Sequence, residues 1–185
     1  VARLARHAPA SVPQFAGALG GLIGSLPPLG LFSAGNDFLI RQNWDEGFAT
    51  AVHVLLHLDT GEYSIINAGH PPALRWVDRQ SMWQVDGARG TALGVLERPD
   101  FRLSSGVVEP GDALMFYTDG VVESPIRDFR SGIDWLRAIA GRVVMADGFD
   151  NAPRRILAHV TGGEDDRAIL TLSREPVLVD YSRGA

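Results

Sequence analysis

Apolar positions change their spacing along the chain, and each change marks an element. Near the N-terminus Phe15, Leu19, Leu22, Ile23 and Leu26 recur at helical spacing. Ser11 and Pro13 stand where a cap and a first turn belong, so the first 30 residues are expected to be helical, ending at Pro27-Pro28. Leu29 to Gly47 mixes Gly, Asn and Asp with large apolar residues and reads as a loop. From Phe48 the period shortens. Ala51 to Leu58 and Tyr63 to Asn67, joined by Asp59-Thr60-Gly61-Glu62, predict a hairpin. Leu74 to Val77 and Met82 to Val85 predict a second pair around Asp78 to Ser81, and Phe101 to Val108 a further strand. Ala113 to Tyr117 is an unbroken apolar run, as expected of a strand covered on both faces.

Helical spacing then returns. Ser131, with Asp134 three residues on, predicts a capped helix carrying Ile133, Leu136, Ile139 and Val143. A shorter helix is expected from Asn151, with Pro153 in its first turn and Gly162-Gly163 beyond its end. Ala168 to Leu172 is the last strand. Helices, strands, helices and a final strand predict an α+β fold with mostly antiparallel sheet.

Composition narrows the chemistry. The 185 residues suggest one domain, and 45% hydrophobic content supports a packed core. A formal charge of −5 without a basic stripe argues against nucleic acid. With no cysteine, any metal must be held by Asp, Glu, His or backbone oxygen, a donor set suited to Mg²⁺ or Mn²⁺. No run of eighteen apolar residues occurs, so no membrane span is expected, and a cytoplasmic location fits. No signal peptide is visible, and a start at Val1 reads as a fragment or processed product.

Three segments could carry chemistry. Asp119-Gly120 follows the buried run, where a strand end would hold a carboxylate rigidly; the same dipeptide is also a common hairpin turn. Glu164-Asp165-Asp166 precedes the last strand and suits either a metal or a solvated loop. Asn67-Ala68-Gly69-His70-Pro71-Pro72 is either a rigid turn or a place where His70 binds phosphate or moves a proton. His53 and His57 have the spacing of a zinc helix but lie in a predicted strand, without the glutamate of that motif. There is no P-loop, no Gly-x-Gly-x-x-Gly and no Gly-x-Ser-x-Gly elbow.

Taken in order, Phe48-Ala49-Thr50-Ala51-Val52, Asn67-Ala68-Gly69-His70-Pro71-Pro72, Thr91-Ala92-Leu93-Gly94, Tyr117-Thr118-Asp119-Gly120-Val121-Val122-Glu123 and Asp165-Asp166-Arg167 resemble the SpoIIE-type serine/threonine phosphatases of the protein phosphatase 2C family. The resemblance runs from about Phe48 to Arg174. It implies a sandwich of two antiparallel sheets flanked by helices, with two Mn²⁺ or Mg²⁺ ions between the sheets. Asp119 and Asp165 become the expected metal ligands, with Gly120, Asp166, His70 and Asn67 at the metals or the rim of the site. No side chain is expected to act as nucleophile; a metal-bound water would attack phosphoserine or phosphothreonine on a regulatory protein, such as an anti-sigma-factor antagonist.

By the same resemblance, residues 1–175 form one domain, with 1–47 as its helical and loop part, 48–175 as the sandwich core and 176–185 as a tail. The family's acidic segment near the domain start and its Gly-Asp-Val-x-Gly-x-Gly segment are not found in this sequence. Two expectations follow: open sheet edges that favour a homodimer, and, as the alternative to an enzyme, a catalytically inactive phosphatase fold that binds a regulator.

Overall fold

The computed structural model describes residues 2–7, 27–42, 47–123, 128–162 and 166–175. Nine strands and three α-helices follow one another as β1 (Ala2–His7), α1 (Pro28–Gln42), β2 (Ala51–Leu56), β3 (Glu62–Ala68), β4 (Leu74–Val77), β5 (Met82–Val85), β6 (Arg89–Gly90), β7 (Phe101–Val107), β8 (Ala113–Tyr117), α2 (Phe129–Asp147), α3 (Ala152–Leu157) and β9 (Arg167–Ser173). The strands form two antiparallel sheets, one in the order β1-β9-β8-β4-β5 and the other β2-β3-β7-β6.

Side-chain alternation along β8 explains how these elements stack. Leu114 and Phe116 face the second sheet, packing with Tyr63 and Ile65 of β3 and with Val52, Val54 and Leu56 of β2. Ala113, Met115 and Tyr117 face the helices, meeting Leu136, Ile139 and Val143 of α2 and Ile156 of α3. All five residues of β8 are buried, which is why the sequence shows no polar alternation there. On the outer face of the second sheet, Ile66 and Ala68 pack against Phe32 and Leu39 of α1. The layers are helix, sheet, sheet, helices.

Most strands lie where the sequence places them; β4, β5 and β8 match residue for residue. Four features differ. Residues 2–7 are a strand rather than helix, because the outer edge of β9 offers a row of backbone partners from Leu172 to Arg167. The helical reading of residues 11–26 lies outside the described residues. The segment expected to be a loop is largely α1. Pro28 opens this helix, since a first-turn residue needs no N–H donor. Asn36, a loop-like residue by type, sits buried on α1, accepting from the Gly94 amide at 2.9 Å and donating to the Leu96 carbonyl at 2.9 Å. The cap of α2 is Asp128, which accepts from the Ser131 amide at 2.9 Å, so Ser131 lies inside the helix. The short strand β6 went unseen because two residues carry no period.

Candidate active site

Three chain segments meet at one end of the sandwich. The first is the C-terminal end of β8. Past Tyr117 the backbone turns through a single 3₁₀ turn, Asp119–Val121, with Gly120 and Val121 buried beneath it. Asp119 itself is exposed, and its Oδ1 accepts from the Gly120 amide at 2.9 Å. Its backbone carbonyl accepts from Val122 at 2.8 Å and Glu123 at 2.9 Å.

The second segment is the approach to β9, held against the first by Thr118. The Thr118 hydroxyl donates to the Asp166 carbonyl at 2.7 Å and accepts from the Ala168 amide at 2.9 Å. The Thr118 amide donates to the Ala168 carbonyl at 3.1 Å. From the other side, the Arg167 guanidinium donates to the carbonyls of Val160 and Gly162, tying this approach to the end of α3. Asp166 is exposed at the start of β9. Asp165 lies outside the described residues.

The third segment is the turn after β3. Asn67 is buried, at 3% exposure, and its side chain is consumed by the turn itself. Its Oδ1 accepts from the His70 amide at 2.9 Å, and its Nδ2 donates to the carbonyls of His70 at 2.9 Å and Pro71 at 3.4 Å. Gly69 has a φ of +67°, and a Cβ there would come within 2.7 Å of the Ala92 Cβ. Its amide donates to the Gly90 carbonyl at 2.8 Å. The Thr91 to Gly94 segment therefore acts as a brace. Leu93 exchanges two backbone hydrogen bonds with Ala49, and Gly94 is held by Asn36.

His70 emerges from this turn toward β8. Burial pushes its imidazole below the ordinary value of 6.5, while the Asp119 carboxylate and the Tyr117 backbone carbonyl pull it back up. The Thr50 hydroxyl lies 3.4 Å from His70 Nδ1. The ring is thus a neutral imidazole near neutral pH, beside an exposed carboxylate.

The fold therefore brings Asp119, Gly120, Asp166 and His70 to one end of the sandwich, with Asn67 as the internal tie of the turn. Among the described residues, no three Asp, Glu or His side chains converge on a point. The donor chemistry still fits a hard divalent ion. Asp119 is an exposed oxygen donor with one hydrogen bond on its carboxylate among the described residues. Sequence reasoning missed the positioning role of Thr118 and the partnership of Thr50 with His70. A polar Thr between a buried Tyr and an exposed Asp was the available signal for the first; the second had none.

The family model for stage II sporulation protein E (SpoIIE) matches residues 13–175. The chain belongs to the SpoIIE family. Phosphoserine phosphatase RsbP of Bacillus subtilis is 32% identical to this SpoIIE-family chain over 84 residues, 44% of the chain and 21% of RsbP. A crystal structure of the RsbU and RsbW domains of a Mycobacterium tuberculosis protein superposes with a TM-score of 0.73 at 26% identity, covering 88% of this chain and 46% of that one. The PP2C phosphatase domain of Bacillus subtilis SpoIIE, solved with a fragment of its regulatory domain, also gives 0.73, at 15% identity, over 88% of this chain and 49% of that one. This second likeness is one of fold, and it agrees with the two-sheet sandwich the sequence predicts. Matches to the curated relatives span 15% to 26% of their lengths.

Proposed function

We propose that this domain is a metal-dependent phosphatase that removes phosphate from phosphoserine or phosphothreonine on a regulatory protein of the anti-sigma-factor-antagonist kind. The observation that carries the reading is the Thr118 clasp. It fixes the Asp119 end of β8, which faces His70, to the backbone at Asp166. Asp119 and Asp165 would hold Mn²⁺ or Mg²⁺, with Gly120 and Asp166 beside them. Bound there, the ions supply Lewis-acid activation of water and neutralise charge growing on the phosphoryl oxygens. The protein's own part is to fix the carboxylates and to keep His70 neutral at the rim, where it can take up or return a proton. That RsbP bears the name phosphoserine phosphatase supports the substrate class.

The same reading includes a cytoplasmic setting, where such regulators act. It also includes a homodimer formed through sheet edges; a monomer by size-exclusion chromatography with light scattering would count against that part. Among the described residues no helix is long and apolar enough to cross a membrane.

The decisive experiment is Mn²⁺-dependent hydrolysis of p-nitrophenyl phosphate by this chain, beside a version extended N-terminally in its parent gene. Activity in either form that is lost in Asp119→Ala supports the phosphatase. Silence in both, with the fold intact by circular dichroism, would instead favour a phosphatase fold that binds its regulator without turnover.

A further inference from the structure

A cavity of about 480 Å³ opens directly from His70, between the 67–72 turn, β6 and the first turns of α2. Its lining runs against the charge of the chain. The protein carries −5 overall, yet among the described residues this cavity is bordered by Arg89 and Arg130 and by no Asp or Glu. Both arginines are exposed, and neither pairs with a carboxylate among the described residues. Asp128 is near enough to Arg130 for each to feel the other's charge, but its carboxylate is engaged by the Ser131 amide at 2.9 Å.

The position of Arg130 sharpens the point. It stands in the first turn of a 19-residue helix whose acid at that end is the N-cap Asp128. That carboxylate is committed to capping the helix, so the amides of the first turn and the Arg130 guanidinium together favour a further anion from outside. Arg89 is tied to the same place: the carbonyl of its neighbour Gly90 accepts from the Gly69 amide in the His70 turn. Between the arginines lie apolar surfaces that the fold leaves uncovered. Val85 is 43% exposed and Phe129 39%, with Ile133 beside them.

We propose that this cavity docks the segment of the phosphoprotein substrate next to its phosphorylated residue, and that this segment is acidic with an apolar side chain. Arg89 and Arg130 take the carboxylates, and Phe129 and Val85 take the apolar side chain. The inference rests on the phosphatase reading and deepens it, since it names what the substrate presents to the rim of the site. Charge complementarity is the argument for the partner: a guanidinium fork suits a carboxylate, and an apolar floor next to it rejects a simple inorganic ion.

The test is direct binding in metal-free buffer, read by fluorescence anisotropy. Two labelled phosphoserine peptides are compared, one flanked by glutamate and leucine, the other identical but with glutamine for each glutamate. The wild-type chain should bind the glutamate peptide about tenfold more tightly, and the preference should weaken as salt rises. In the double variant Arg89→Gln, Arg130→Gln the preference should shrink to about twofold or less. Equal binding of both peptides by the wild type, or a preference that survives in the double variant, overturns the proposal. Both substitutions are at exposed positions, and a thermal melt confirms that the variant folds.

Hydrolysis of p-nitrophenyl phosphate by the same proteins separates the two readings. That substrate has no peptide to place in the cavity. Equal losses on it and on the glutamate peptide would assign the arginines to the phosphoryl group and overturn docking. A preference for the glutamate peptide, with no hydrolysis of either substrate by this chain or by its N-terminally extended form, would support the docking site and defeat the phosphatase.

Discussion

Asp112 and Asp119 bracket strand β8, one on each side of the same five buried residues. Asp112 is 5% exposed, and its carboxylate is committed on both oxygens: Oδ1 accepts from the Asp78 amide at 2.9 Å and Oδ2 from the Glu109 amide at 3.3 Å. Its carbonyl accepts from the Arg174 amide, and the Arg174 guanidinium donates to the carbonyls of Asp59, Thr60 and Val108. That end of the sandwich is locked by its polar groups. At the other end Asp119 is exposed, and among the described residues its carboxylate accepts one hydrogen bond, from its own neighbour. The same residue type on the same strand is a structural tie at one end and an open donor at the other. The difference lies in how many amides the surrounding loops aim at each carboxylate.

The contrast is sharpest in the response to alanine. Asp119→Ala should lower metal-dependent phosphatase activity by about 10²–10³-fold. Its thermal stability should change by no more than about 0.5 kcal/mol, as at other exposed positions. An apo variant melting far below the apo wild type would place Asp119 among the structural ties and erase the distinction. Asp112→Ala should do the reverse. Leaving the amides of Asp78 and Glu109 without their acceptor should cost about 3 kcal/mol, read as a fall in melting temperature of roughly 10 °C. Activity per folded molecule should persist.

Gly69→Ala tests whether the His70 turn belongs with the rigid or the open end. Its positive φ and the 2.7 Å approach to Ala92 should make the variant less stable by about 2 kcal/mol. Activity should fall with it, because His70 is displaced. Thr118→Val removes the hydroxyl between Asp166 and Ala168 while keeping its shape. It should cost about 1 kcal/mol in a denaturant melt and weaken Mn²⁺ binding by calorimetry. Unchanged metal affinity would mean that the clasp holds the sheet and not the site.

The smallest effect is at the cap of α2. Hydrogen bonds from the Ser131 amide and hydroxyl hold the Asp128 carboxyl below its ordinary 3.8. A depressed carboxyl stabilises the fold above the unfolded value and loses that contribution as pH falls through the folded one. The gap in melting temperature between wild type and Asp128→Ala should therefore be present at neutral pH and close progressively below pH 3.8. A gap that stays constant through that range would show that the charge of the cap is not what matters.

Much of this molecule is legible in its residue order. The pairing of β2 with β3 and of β4 with β5 and the buried strand β8 follow from period and turn chemistry. The ordered motifs from Phe48 onward carry the family and hence the two-sheet sandwich. Segments whose residues serve two structures were less legible. Pro28 stops one helix and starts another equally well, and only the packing of Phe32 and Leu39 on Ile66 and Leu93 decides that α1 forms.

By itself, then, the sequence determined the strand core and the family, because periodicity and motif order are local properties of the chain. Tertiary structure alone decided that residues 2–7 are a strand, since the edge of β9 is their partner across most of the chain. It decided too that the Thr118 hydroxyl joins the two acidic segments. Arg89 and Arg130, distant in sequence, share one cavity for the same reason. Hydrogen-bond partners and cavity walls are supplied by whatever the fold brings within reach, and sequence order does not encode those distances.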